Sequence, residues 1–239
     1  MITRLVVNGD SYMEVYAQGA GHVDLAQRLN IPNSSSLAIG GSADSRLIRT
    51  VLKDSYAATE STLYVIGVGF LSRWEVPVLN NDHDGTFEGR WTNPQNQFYI
   101  DRWEHNWSQT ETKKLMELKL ISDFYSVPDR LEDLMYRLLA MVDSLHARGH
   151  RVLVFQQADD IYQRYLDRYA FDLLKNPIFV DGLKWRAVPW QVEQGVPTVN
   201  YGSNAPYQVP PEIRHPAPGQ HNLLNEFLQK YIVDHKILA

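Results

Sequence analysis

The chain has no cysteine among its 239 residues. That excludes disulfides, cysteine-ligated zinc and a thiol nucleophile, and it leaves the redox compartment open. No apolar run approaches the length needed to span a membrane, so no membrane partner is expected. No internal repeat and no low-complexity segment is present. Positive charge is in short supply: Lys and Arg number 23 against 28 Asp and Glu, a net charge of -5. A nucleic-acid partner therefore gains no electrostatic support. Met1-Ile2-Thr3-Arg4 runs straight into an apolar stretch, without a charged segment followed by a long hydrophobic one. No signal peptide is recognisable, and the default expectation is the cytoplasm or a place in an assembled particle. What remains is an ordinary globular composition, 44% hydrophobic and 21% charged. It is enough to bury a core, and a single domain over residues 1–239 is expected.

The chain is organised around Leu5-Val6-Val7-Asn8-Gly9-Asp10-Ser11. An apolar, β-branched run ends in a Gly-Asp-Ser turn, and an amphipathic stretch follows. Strand, tight turn and helix would lift the Ser11 hydroxyl out at the carboxyl end of a parallel strand, where open α/β sheets place ligands. The helix start adds oriented N–H groups and partial positive charge beside a developing anion. The plain alternative is a strand-to-helix turn in which Asp10 or Ser11 serves as an N-cap. The chemical reading gains weight from Glu212-Ile213-Arg214-His215-Pro216 near the other end of the chain. A serine hydroxyl needs a base, His215 titrates near neutrality, and Glu212 three residues earlier can face the ring and fix its tautomer. The other seven histidines lack a comparable acidic-x-x-His-Pro setting. No Gly-x-Ser-x-Gly elbow is present, which argues against an α/β-hydrolase.

The pairing of Gly9-Asp10-Ser11 with Glu212-x-x-His215-Pro216 resembles the SGNH (GDSL) hydrolase family. The resemblance implies Ser11 as nucleophile and His215 as general base, with Glu212 in place of the usual aspartate. Asp10, beside the nucleophile, is grouped with the oxyanion and substrate-binding positions. Gly219 and His221 resemble the family's trailing Gly and His before the last helix. Gly41, in Gly40-Gly41-Ser42, matches the glycine of the second block, whose N–H helps to bind the oxyanion. The alternative there is a flexible turn capped by Ser42.

The third block departs from the family. Where Gly-x-Asn-Asp is usual, this chain has Gly67-Val68-Gly69-Phe70. Losing one oxyanion donor can cost on the order of 3 kcal/mol of transition-state stabilisation. Three readings are open. Arg73 donates in place of the asparagine, as in SGNH-like sequences with an Arg-x-Glu block; the chain keeps the fold without the activity; or Arg73 and Glu75 form a local ion pair.

The remaining pattern predicts helices over Tyr12–Gln18, His22–Leu29 and Ala43 to about Tyr56. It predicts strands at Ser36–Ile39, Thr62–Gly67 and Arg151–Gln156. Residues 110–146 read as mostly helical with a break near Val127-Pro128, and Gly149 is a plausible stop. Ile161–Leu174 reads as a helix. Gln156, Gln157, Asp159 and Asp160 either touch substrate or cap that helix. A fifth strand falls at Phe179-Val180 or Ala187-Val188, and Pro216–Asp234 is the closing helix. Residues from about 75 to 110 form an irregular insertion rich in Phe, Tyr and Trp. It would overhang the active-site face, either as a sugar platform or acyl pocket or as simple packing. Asp82, His83 and Asp84 are too tightly adjacent to hold one ion, so no metal and no other cofactor is expected.

These observations give an α/β class: a three-layer α/β/α sandwich with an approximately five-stranded parallel sheet in flavodoxin-like order. The expected activity is hydrolysis of an O-acyl ester through an acyl-serine intermediate. The partner would be a small-molecule or polysaccharide acyl ester, tilted by the aromatics toward carbohydrate O-acetyl groups. The rival expectation is a weakly active or inactive SGNH-fold component of an oligomer or larger assembly.

Overall fold

The computed structural model describes residues 1–39, 44–69, 74–76, 90–92, 127–158, 175–199, 215–217 and 219–239. Three strands are mostly buried. These are β1 (Arg4–Asn8), β3 (Thr62–Val68) and β6 (Arg151–Gln156), with β2 (Asn33–Ser36) at one side. They form a parallel sheet in the order β2-β1-β3-β6. Leu5 aligns with Ser34 on one side and Leu63 on the other, and Val65 aligns with Leu153. All seven residues of β3 are buried, as a strand covered on both faces requires. Each Val or Leu so enclosed contributes about 1.5–3 kcal/mol.

The second strand lies earlier than the pattern predicts, at Asn-Ser-Ser-Ser and not at Ser36–Ile39. The reason is its position. Among the described residues it pairs only with β1; it stays partly exposed and needs no apolar face. Leu37 still hydrogen-bonds onward to Val7, so the apolar run continues beside β1 without being a strand.

Helices α1 (Ser11–Gln18) and α2 (Gly21–Arg28) connect β1 to β2, and α3 (Asp44–Ala57) connects β2 back across β1 to β3. Opposite directions of travel with right-handed crossovers put these connections on opposite faces of the sheet. Helix α4 (Val127–Ala147) packs beside α3 and against β6. It ends where Gly149 adopts φ +79°, open to solvent, as a left-handed C-terminal glycine should. On the other face α2 packs against α6 (Asn222–Asp234). Layers of helix, sheet and helix result. Short pairs β4 (Trp74–Val76) with β5 (Arg90–Thr92), and β7 (Thr198–Val199) with β8 (His215–Pro216), are antiparallel and separate from the main sheet.

Two further expectations are corrected. The sheet has four strands among the described residues. At the fifth position are only single bridges, Val154 to Phe179 and Gln156 to Arg186. Val180–Leu183 is a 3-10 turn and Ala187–Glu193 is helix α5. Asp181 and Gly182, both at positive φ, stop any strand that Phe179 begins. The closing helix starts at Asn222, because His215-Pro216 is spent on β8. The predicted helix over Ile161–Leu174 and most of the aromatic-rich insertion lie outside the described residues.

Candidate active site

Asn8, Gly9 and Asp10 fix the turn that carries Ser11. The Asn8 amide donates to Leu47 O at 3.2 Å and to Thr50 Oγ1 at 2.9 Å, while its oxygen accepts from Gly9 N at 2.8 Å. The strand end is thereby tied to α3. At Gly9 a Cβ would fall 2.5 Å from Met13 Cγ and 2.8 Å from Gly67 O, so a side chain has no room. Asp10, 1% exposed, is the N-cap of α1 and accepts from Tyr12 N–H at 3.0 Å. Its carboxylate thus acts as an acceptor inside the turn. Ser11 opens the helix and keeps 9% of its surface exposed.

Onto this serine comes His215. Its Nε2 lies 2.8 Å from Ser11 Oγ, across 204 positions of sequence. With the ring protonated at Nδ1, the hydroxyl donates to Nε2, the arrangement that general-base activation needs. Strand β8 pairs His215 with Val199 on β7. The ring also stacks on Tyr12, with centroids 4.3 Å apart and planes 20° from parallel. Tyr12 is 6% exposed and packs with Ala158 and Val188. Nothing in the sequence pattern singles out Tyr12; only its place directly after the serine hints at it.

The arm carrying His215 is anchored behind by a buried polar cluster. Asn225 of α6 donates to Gly21 O at 2.9 Å and to Asp24 Oδ2 at 2.8 Å, and its oxygen accepts from Tyr16 OH at 2.6 Å. Asp24 also accepts from Arg28 at 2.8 Å. The Asn225 bond, ahead of Arg28, holds the Asp24 carboxyl below its usual range, and burial pushes the Tyr16 phenol well up. These bonds join α1, α2 and α6 into one body behind the Ser11–His215 pair.

Gly69, standing where the family has asparagine, is buried and held on both sides. Its N–H donates to Asp44 Oδ1 at 3.2 Å, and its carbonyl accepts from Gln156 Nε2 at 3.4 Å. A Cβ there would stand 3.0 Å from Asp10 Oδ2. A side chain there would crowd the helix-capping carboxylate. Glu212, Gly41 and Arg73 lie outside the described residues, as do Asp82, His83, Asp84, Asp159 and Asp160. Gln157, by contrast, turns inward and donates to Gly67 O at 2.6 Å. Among the described residues no cluster of three or more acidic or histidine side chains could hold a metal ion, and no helix is long and apolar enough to cross a membrane.

No family model matches the sequence, and no curated protein does. Solved structures do show similarity. TesA is 16% identical, with 97% of this chain and 99% of that one covered and a TM-score of 0.48. A GDSL-like lipase from Bacteroides thetaiotaomicron is 12% identical, with 97% and 88% covered and a TM-score of 0.42. A member of the lipolytic G-D-S-L family from Veillonella parvula is 12% identical, with 97% and 96% covered and a TM-score of 0.40. These are distant likenesses. The strand order β2-β1-β3-β6, the helices packed against the sheet and the turn that presents Ser11 belong to the chain itself, and they make it a three-layer α/β/α protein built on a parallel sheet.

Proposed function

We propose that the protein is an ester hydrolase working through an acyl-Ser11 intermediate. The observation that carries this is the 2.8 Å approach of His215 Nε2 to Ser11 Oγ. Ser11 Oγ attacks the ester carbonyl carbon while its proton passes to His215 Nε2. The tetrahedral adduct collapses, the carbonyl carbon–alkoxy oxygen bond breaks, and the alcohol leaves with that proton. Water, deprotonated by the same ring, then releases the acid and restores the serine. The start of α1 supplies partial positive charge beside the anion. In this reading Glu212 orients the ring, and Gly41 and Arg73 donate to the oxyanion, Arg73 in place of the absent asparagine. The aromatic-rich insertion at about 75–110 favours a carbohydrate O-acetyl ester, since aromatic faces suit sugar rings.

The test is hydrolysis of p-nitrophenyl acetate by the wild type, Ser11→Ala and His215→Ala. Loss of roughly 10³-fold or more in kcat for each variant is expected. Equal rates for wild type and Ser11→Ala would overturn the proposal.

The buried Gly69 favours a second reading, an SGNH-fold component with little turnover that binds or assembles. A fluorophosphonate probe separates the two. Labelling of Ser11 supports the hydrolase. An unlabelled folded protein in a stable oligomer, or with a co-purifying partner, supports assembly.

A further inference from the structure

A pocket lies between α1, the end of β6, α5 and the start of α6. It is a cleft partly open to solvent. Met13, Phe155, Val188 and Leu224 give it apolar walls, and Tyr12 and Pro216 make it adjoin the Ser11–His215 pair. Neither Ser11 nor His215 lines it, so it is separate from the reacting atoms.

Its polar groups are few and specific. Gln157 is 1% exposed, and its Nε2 donates to Gly67 O at 2.6 Å. A carbonyl only accepts, so this bond fixes which way the amide is turned. Gln157 Oε1 is left buried without a hydrogen-bond partner. The same holds for His221 Nδ1, on another residue of the lining. Buried polar atoms of this kind are costly unless something pairs with them. No Asp, Glu, Lys or Arg is among the described lining residues.

We propose that this pocket binds a small uncharged alcohol. The chemistry selects that class. Gln157 Oε1 can only accept, so the ligand must donate. A hydroxyl donates and accepts at once, and so can also meet a His221 ring nitrogen in either protonation state. A carboxylate would turn a lone pair toward Gln157 Oε1. An ammonium would be desolvated with no counter-charge. The apolar walls take the carbon chain. The proposal does not rest on the hydrolase reading and goes beyond it: a folded but inactive protein would still bind.

The experiment titrates the protein with 1-hexanol, and separately with hexanoate and hexylammonium at neutral pH, following the methionine methyl signals by NMR. Met13 lines the pocket, and its signal is identified by its loss in Met13→Leu. Saturable movement of the Met13 methyl by 1-hexanol is expected, with at least tenfold weaker response to either charged analogue. Gln157→Met should weaken 1-hexanol binding fivefold or more. Because that variant also frees Gly67 O, Ala217→Phe provides a second obstruction from a partly exposed lining position, and it should abolish the response. The proposal is overturned if 1-hexanol gives no saturable shift, leaving a pocket that holds water only. It is overturned equally if hexanoate binds as well as hexanol, or if folded Ala217→Phe binds like wild type.

Discussion

Tyr12 lies flat against the imidazole of His215, 4.3 Å between ring centroids, while the residue before it offers its hydroxyl to the same ring. One turn of helix thus supplies both the group to be deprotonated and the surface on which the base rests. An aromatic stack of this type is worth roughly 0.5–1.5 kcal/mol beyond its buried area. Tyr12→Ala should therefore lower kcat for p-nitrophenyl acetate about tenfold with little change in KM. Tyr12→Phe, which keeps the stack, should retain most of the rate. Identical kcat values for Tyr12→Ala and wild type would remove the ring from the positioning of His215.

Gly9 is pressed between Met13 and the backbone of Gly67. Gly9→Ala should cost about 1–3 kcal/mol in urea unfolding, the usual range for overpacking. Adding Met13→Ala should not restore the loss, because the Gly67 carbonyl cannot retreat. Full recovery in the double variant would show that only the methionine objects.

Gly69→Asn, which introduces the side chain usual at this point in SGNH hydrolases, should not raise activity. The new Cβ meets Asp10 Oδ2 at 3.0 Å, so the capping carboxylate must give way by a few tenths of an ångström. Thermal melting should shift down and kcat should stay level or fall. A rise in kcat would mean that Asp10 moves aside freely and that the asparagine alone was lacking.

His150 is 3% exposed, and its Nδ1 accepts from Thr62 N–H at 3.2 Å. Burial lowers its pKa from the ordinary histidine range. The unfolded chain then binds the proton first as pH falls. The neutral-ring contribution is complete above about pH 6.5. It declines as pH drops through that value and levels off below the folded-state pKa. Urea midpoints measured from pH 8 to 5 should follow this course, and His150→Asn should flatten part of it. An unchanged slope in the variant would assign the pH dependence to other groups.

The sheet was legible where residues must be buried on both faces. Leu5-Val6-Val7, Thr62–Gly67 and Arg151–Gln156 all became largely buried strands, within a residue at their ends. It was illegible at the edge, where Asn33–Ser36 pairs through backbone alone and needs no apolar signal. Ala187-Val188 looked extended because β-branched and small residues are ambiguous over so short a run, and tertiary packing made it helix. Ser11 and His215 could be singled out because a nucleophile and a base carry chemistry in their residue types. Tyr12 and Asn225 could not, since a stack and a three-way hydrogen bond exist only after the helices meet. Gly69 was visible as a missing asparagine, but its crowding by Asp10 belongs to three dimensions.

Asn225 clasps the last helix to the first two, and His215 precedes that helix by only a few residues. On the proposed mechanism, the reactivity of the serine would therefore report on the attachment of this last helix. Mild heat, protease nicking or a weakened clasp would release this tail at lower cost than opening the central strands. Such molecules would keep their far-ultraviolet dichroism while becoming inert to acylation, so a titration of acylable sites counts intact tails.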